Sequence, residues 1–151
     1  LAIAKRNAPK MMRAQILSSD ITTHEFGKPF EAVLATFTLL EIEDVDCLIR
    51  RLPKLVCSGG LLVVSLPDTW RDVIDCAASM PEKISEFLAG RTSVPKIDKF
   101  TNERYPFRAV RIAHLISRVL ATGFELVELI ESNEDRTQIY LLAFRRKGVM
   151  P

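Results

Sequence analysis

Asp20 and Ile21 follow a stretch, Met12–Leu17, that reads as a strand. An acidic side chain at the carboxyl end of a strand faces the crevice where open α/β sheets bind ligands, and there it can accept a hydrogen bond from a ligand's donor. Asp20 can equally close a local turn with Thr22, as aspartates often do. Thr36, Phe37 and Thr38 end a second apolar run, Ala32–Thr36. Their hydroxyls can orient a substrate, or Phe37 and Leu39 can simply pack under the helix that follows. His24, Glu41 and Asp68 are general-base candidates by position alone, a role needed only where the acceptor is a hydroxyl or similar weak acid. His24 sits in the polar loop TTHEFGKP, where a solvated side chain is the simpler account. Cys47, Cys57 and Cys76 form no C-x-x-C pair and have no nearby histidines, so they read as reduced thiols rather than zinc ligands. No G-x-S-x-G, Walker or H-E-x-x-H pattern occurs, which argues against hydrolysis and phosphoryl transfer.

The elements that must position these residues centre on Phe30–Asp68, which reads as strand, loop, helix, glycine turn, strand. Ala32–Thr36 and Leu61–Leu66 are short apolar runs of the kind that form strands buried on both faces. Between them Val45, Leu48, Ile49, Leu52, Leu55 and Val56 recur at helical spacing. Asp44 stands at the N-cap, Gly59-Gly60 is expected to close the helix, and Pro53 predicts a kink or restart within it. A strand–helix–strand crossover implies parallel strands in one sheet.

Upstream, Leu1–Asn7 reads as helix and Met12–Leu17 as strand. Downstream, Val73, Ile74, Ala77 and Ala78 predict one short helix. Ile84, Phe87 and Leu88 predict another, ended by Gly90. Arg91–Arg108 interleaves basic and aromatic residues and has three readings: a lid over a small-molecule pocket, a plain surface loop, or a nucleic-acid contact. Ala109–Thr122 reads as a helix with Ala109, Ile112, Ala113, Ile116, Val119 and Leu120 buried and His114 on the solvated side. Phe124–Ile130 and Thr137–Phe144 are joined by too short a turn for parallel strands, so they form an antiparallel hairpin. The 151 residues suit one domain. A net charge of +2 is too mild to imply nucleic acid, and no apolar run approaches the roughly 20 residues of a membrane helix.

In order and spacing, TFTLLEIED, LVCSGG and VVSLPD resemble the middle of a class I S-adenosylmethionine-dependent methyltransferase. In that family an apolar strand leads into a segment xxFxLxHIxD, then a helix, an LKPGG turn and a strand ending near Pro-Asp. Glu41 stands where many members carry histidine, and Cys57-Ser58 replaces Lys-Pro. LATGFELVEL similarly resembles the family's LxxAGFxxVEL. The resemblance implies a Rossmann-like α/β fold: a mostly parallel sheet flanked by helices and ending in an antiparallel hairpin. It also implies S-adenosylmethionine as cofactor, with Asp20 accepting from the adenine amino group, the Ile21 N–H reaching a ring nitrogen, and Thr36, Phe37 and Thr38 lining the methionine part. Residues 69–108 would be an insertion covering a small-molecule acceptor, with Trp70 and Tyr105 contacting it. Metal is not needed, and the expected location is cytoplasmic.

The family's strand order, 3-2-1-4-5-7-6, makes residues 12–17 strand 3. Counterparts of strands 1 and 2 and of the glycine-rich first motif are not found after Leu1, which predicts residues upstream of it. The alternatives are a methyltransferase-like binding module without turnover, and a methyltransferase acting on nucleic acid or protein.

Overall fold

The computed structural model describes residues 17–97, 101–134 and 137–148, with Ile97, Tyr105, Pro106, Glu134 and Thr137 described by backbone alone. The helix expected over 1–7 lies outside the described residues, as does the strand expected over 12–17 apart from Leu17, which is not in a strand.

Strand β1 (Phe30–Thr36) leads through a 3-10 turn (Thr38–Leu40) into helix α1 (Val45–Leu55), and β2 (Val56–Pro67) follows directly. Helices α2 (Trp70–Ala77) and α3 (Glu82–Leu88) precede the strands β3 (Arg91–Ile97) and β4 (Arg104–Val110). Helix α4 (Ile112–Leu120) then leads to β5 (Phe124–Glu134) and β6 (Thr137–Arg146). The main sheet runs β1-β2-β6-β5. This is the 4-5-7-6 half of the order that the resemblance implies. β1 and β2 are parallel, with Ala32 beside Leu61 and Thr36 beside Ser65. β6 is antiparallel to both β2 and β5. The expectation of a mostly parallel sheet ending in an antiparallel hairpin is met in part: among the described residues the sheet is mixed, with one parallel pair, because β6 inserts between two strands that run the other way.

Helix α1 forms as its apolar spacing dictates. Asp44 Oδ1 accepts from the Cys47 N–H at 2.8 Å, satisfying an orphan donor of the first turn. Val45, Leu48, Ile49, Leu52 and Leu55 are all buried, each stabilising the fold by about 1.5–3 kcal/mol at most. They pack with Leu62, Val64 and Leu66 of β2, Leu142 and Phe144 of β6, Phe124, and Leu115 and Val119 of α4. The helix does not restart at Pro53, since it runs on to Leu55.

Nor do the glycines close the helix. It ends at Leu55, Val56 is already extended, and Gly59-Gly60 belong to β2. Their function is to let the strand re-register: one residue of β1, Glu31, faces four of β2. A Cβ on Gly60 would lie 2.8 Å from the Glu31 carbonyl oxygen, closer than a side chain tolerates.

β1 is not buried on both faces. Val33 and Ala35 turn toward the core, whereas Leu34 is 68% exposed on the opposite face, where Leu61 of β2 is exposed as well.

The segment 91–108, open between a lid, a plain surface loop and a nucleic-acid contact, is not a plain loop but part of an antiparallel ribbon: β3 and β4 pair from Arg91–Val110 to Ile97–Arg104. With α2 and α3 it encloses a second hydrophobic cluster of Val73, Phe87, Val94 and Ala109. Ala109 and Val110 therefore end a strand, and α4 starts at Ile112. Its buried face is centred on Leu115 and Val119, leaving Ala113 and Leu120 exposed. His114 is half-buried, its ring lying where a Cβ on Gly90 would come within 2.7 Å.

Candidate functional site

β1, β2 and β5 all end on the same edge of the sheet, and the candidate site lies along it. Beyond β1 a cleft of about 510 Å³ is lined by Ser19–Thr22 on one side and Glu41–Asp44 on the other. Helix α1 positions both walls. Its Asp44 cap fixes the second, while Arg51 Nη2 donates to the His24 carbonyl oxygen at 2.6 Å and to Glu25 Oε1 at 3.2 Å, holding the first. Ile21 packs on the main core. Ile21, Glu41 and Ile42 also line an adjoining apolar cavity of about 360 Å³, which Thr38 and Leu39 enter from the 3-10 turn.

Asp20 makes its turn with Thr22. Oδ1 accepts from the Thr22 N–H at 2.8 Å and from its hydroxyl at 2.7 Å. The hydroxyl first, then the N–H, hold the carboxyl below its ordinary value. Among the described residues Oδ2 accepts no hydrogen bond, so the turn with Thr22 occupies only one of the two carboxylate oxygens.

Phe37 adopts a left-handed conformation (φ 55°, ψ −3°), a cost of about 1–2 kcal/mol for a residue with a Cβ. The Phe37 N–H donates to the Ser65 carbonyl oxygen at 2.9 Å, and the ring is 45% exposed. Strain of this kind clusters at functional sites. Thr36 is exposed beside Ser65 in the ladder. Neither Thr36 nor Phe37 lines the two cavities.

A further cleft of about 380 Å³ opens beyond β2, lined by Pro67, Asp68, Arg71, Asp72, Lys96, Phe107, Asn133 and Gln138. Asp68 anchors it: its N–H donates to the Gln138 carbonyl oxygen at 2.6 Å and its Oδ1 accepts from the Trp70 N–H at 3.0 Å. Tyr140 stands nearby with its phenol pushed up by burial, then by the charges of Asp68 and Glu131. Trp70 does not line this cleft; its ring packs on Phe87, centroids 5.5 Å apart. Tyr105 is paired with Lys96 in the ribbon, and its side chain lies outside what is described. His24 packs edge-on against Phe26 at 4.6 Å.

The structure thus brings Asp20 and Ile21 together with Glu41–Asp44, and keeps Trp70 apart from them. Sequence reasoning missed Ile42 and Glu43 as wall residues, and Lys96, Phe107, Asn133 and Gln138 at the second cleft. Only the aromatic and basic character of 91–108 pointed toward Lys96 and Phe107.

No family model and no curated protein matches the sequence. Solved structures do match. The glycopeptide N-methyltransferase MtfA with bound S-adenosylhomocysteine aligns over 87% of this chain and 60% of its own, at 12% identity and a TM-score of 0.57. A Listeria monocytogenes protein classed with the S-adenosylmethionine-dependent methyltransferases aligns over 97% and 75%, at 13% identity and a TM-score of 0.72. A methyltransferase of the same kind from Methanosarcina mazei aligns over 97% and 76%, at 13% identity and a TM-score of 0.66. The chain spans about 60% of the length of the MtfA structures. Its fold is that of the class I S-adenosylmethionine-dependent methyltransferases.

Proposed function

We propose that the Asp20 cleft holds the adenosine end of S-adenosylmethionine and that the methyl group passes to a small-molecule acceptor at the same edge of the sheet. One observation supports this above the others: a single cleft unites Asp20 and Ile21 with Glu41–Asp44 just past β1. Among the described residues its ionisable lining is Asp20, Glu41, Glu43 and Asp44, with no lysine or arginine. Such a lining repels phosphates and suits a ligand offering N–H and O–H donors or positive charge. MtfA has been solved with S-adenosylhomocysteine, S-adenosylmethionine and sinefungin, all ligands of that description.

When bound, the cofactor supplies a methyl group already activated on a sulfonium. The protein's task is then alignment and exclusion of water. Asp20 Oδ2 accepts from the ligand's amino or hydroxyl groups, and Ile21 and Ile42 flank a ring with apolar surface. Thr36, Phe37 and Thr38 border the methionine end. The unit 69–108 covers the acceptor, with Trp70 and Tyr105 as its proposed contacts. The three cysteines are free, which fits a reducing compartment such as the cytoplasm. Among the described residues no helix is long and apolar enough to cross a membrane.

Calorimetric titration with S-adenosylhomocysteine tests the cofactor assignment, and absence of heat at high micromolar ligand would overturn it. Asp20→Ala should weaken binding by about 1–3 kcal/mol, the range for a hydrogen bond to a charged group.

A further inference from the structure

Phe107 and Arg108 are consecutive on β4, so their side chains leave the strand on opposite faces. Phe107 lines the cleft beyond β2, with Lys96 Nζ 3.7 Å from its ring centroid. It also packs against both hydrophobic clusters. Arg108 reaches the other way, and its Nη1 donates to the Glu41 carbonyl oxygen at 3.1 Å. Glu41 is the first residue of the wall Glu41–Asp44 of the Asp20 cleft. Two residues past that wall, Asp46 is met by Arg91 of β3 at 3.7 Å and by Arg118 of α4 at 3.3 Å. The β3–β4 ribbon thus touches one cleft through Lys96 and Phe107. It grips the wall of the other near both ends through Arg108 and Arg91.

We propose that the ribbon couples the two clefts. Arg108 is a positioning residue, acting through the Glu41 carbonyl, and with Arg91 it sets where the wall 41–44 stands. A ligand in the Asp20 cleft then alters the ribbon, and a ligand against Phe107 alters the wall. Linkage makes this effect on affinity reciprocal. The proposal rests on the cofactor reading for its choice of probe alone, because the clamp belongs to the ligand-free chain.

Two measurements test it. In the ligand-free protein, amide exchange followed by mass spectrometry should speed up about tenfold over residues 41–47 in Arg108→Ala, as loss of one hydrogen bond allows. Arg108→Lys should restore part of the protection, and the α1 amides of residues 49–54 should be unchanged. Unaltered exchange at 41–47, or an equal rise throughout α1, overturns the clamp.

The second measurement uses Trp70, the single tryptophan, which packs on Phe87 in the ribbon's hydrophobic unit and does not line the Asp20 cleft. During titration with S-adenosylhomocysteine, its emission should shift in step with calorimetric saturation. In Arg108→Ala the ligand should still bind while the emission stays constant. Binding to the natural sequence with silent Trp70 overturns the coupling. Absence of binding defeats the cofactor reading instead, and the exchange measurement then decides the clamp by itself.

Discussion

The Thr22 hydroxyl and backbone N–H both donate to one oxygen of Asp20, at 2.7 and 2.8 Å, and Asp20 itself lines the cleft. The two hydrogen bonds favour the ionised carboxylate and depress its folded-state value. A depressed carboxyl contributes stability above its unfolded value of about 3.9, and that contribution disappears as pH falls through the folded value. Thr22→Ala removes the larger of the two causes, so Asp20 should titrate at higher pH in that variant. Carboxyl-carbon NMR against pH measures the shift, and an unmoved midpoint would detach Asp20 from Thr22.

Gly60 is required by space rather than by flexibility. A Cβ there would meet the Glu31 and Cys57 carbonyl oxygens and the Val56 side chain at 2.8–2.9 Å. Gly60→Ala should therefore cost about 1–3 kcal/mol, the usual range for overpacking. Gly27→Ala, where nothing stands within 4 Å, is expected to stay within about 0.5 kcal/mol. Urea denaturation compares the two, and equal midpoints would contradict this account of the β1–β2 register shift.

Phe107 joins the main core to the cluster formed by α2, α3 and the ribbon. The side chain is half-buried, so Phe107→Ala should destabilise by somewhat less than the roughly 3–5 kcal/mol of a fully buried aromatic. Its more telling effect is on cooperativity. Trp70 fluorescence and far-UV circular dichroism should report one transition in the natural sequence and two separate ones in the variant. Coincident transitions in Phe107→Ala would mean that the clusters are joined elsewhere.

The basic residues of the ribbon are largely used within the molecule. Lys96 pairs with Asp72 at 2.9 Å, Arg91 faces Asp46, and Arg108 serves the Glu41 carbonyl. Cations committed in this way release few counterions from a phosphate backbone. Fluorescence anisotropy with single-stranded and duplex oligonucleotides should accordingly show no binding at low salt. Binding that falls steeply between about 50 and 200 mM salt would restore the nucleic-acid reading.

Much of the fold was legible because local rules act on few residues at a time. The stripe Val45, Leu48, Ile49, Leu52, Leu55 and Val56 could only be one buried face, and every member of it is buried. A six-residue connection could only join antiparallel neighbours, and β5 and β6 are antiparallel. The ribbon was not legible, since the basic and aromatic residues of 91–108 follow no clear alternation and Pro95 and Pro106 interrupt it. The register sets them opposite each other, and a two-stranded ribbon tolerates prolines whose missing donors point away from the ladder. Asp20 was read as either a turn former or an acceptor, and the structure shows the turn, with both Thr22 donors on one oxygen. The pairing of Arg108 with Glu41 spans 67 positions, and no periodicity reaches that far. Spacing determines which residues share a face, but long-range packing alone determines which faces meet, and the clefts lie where they meet.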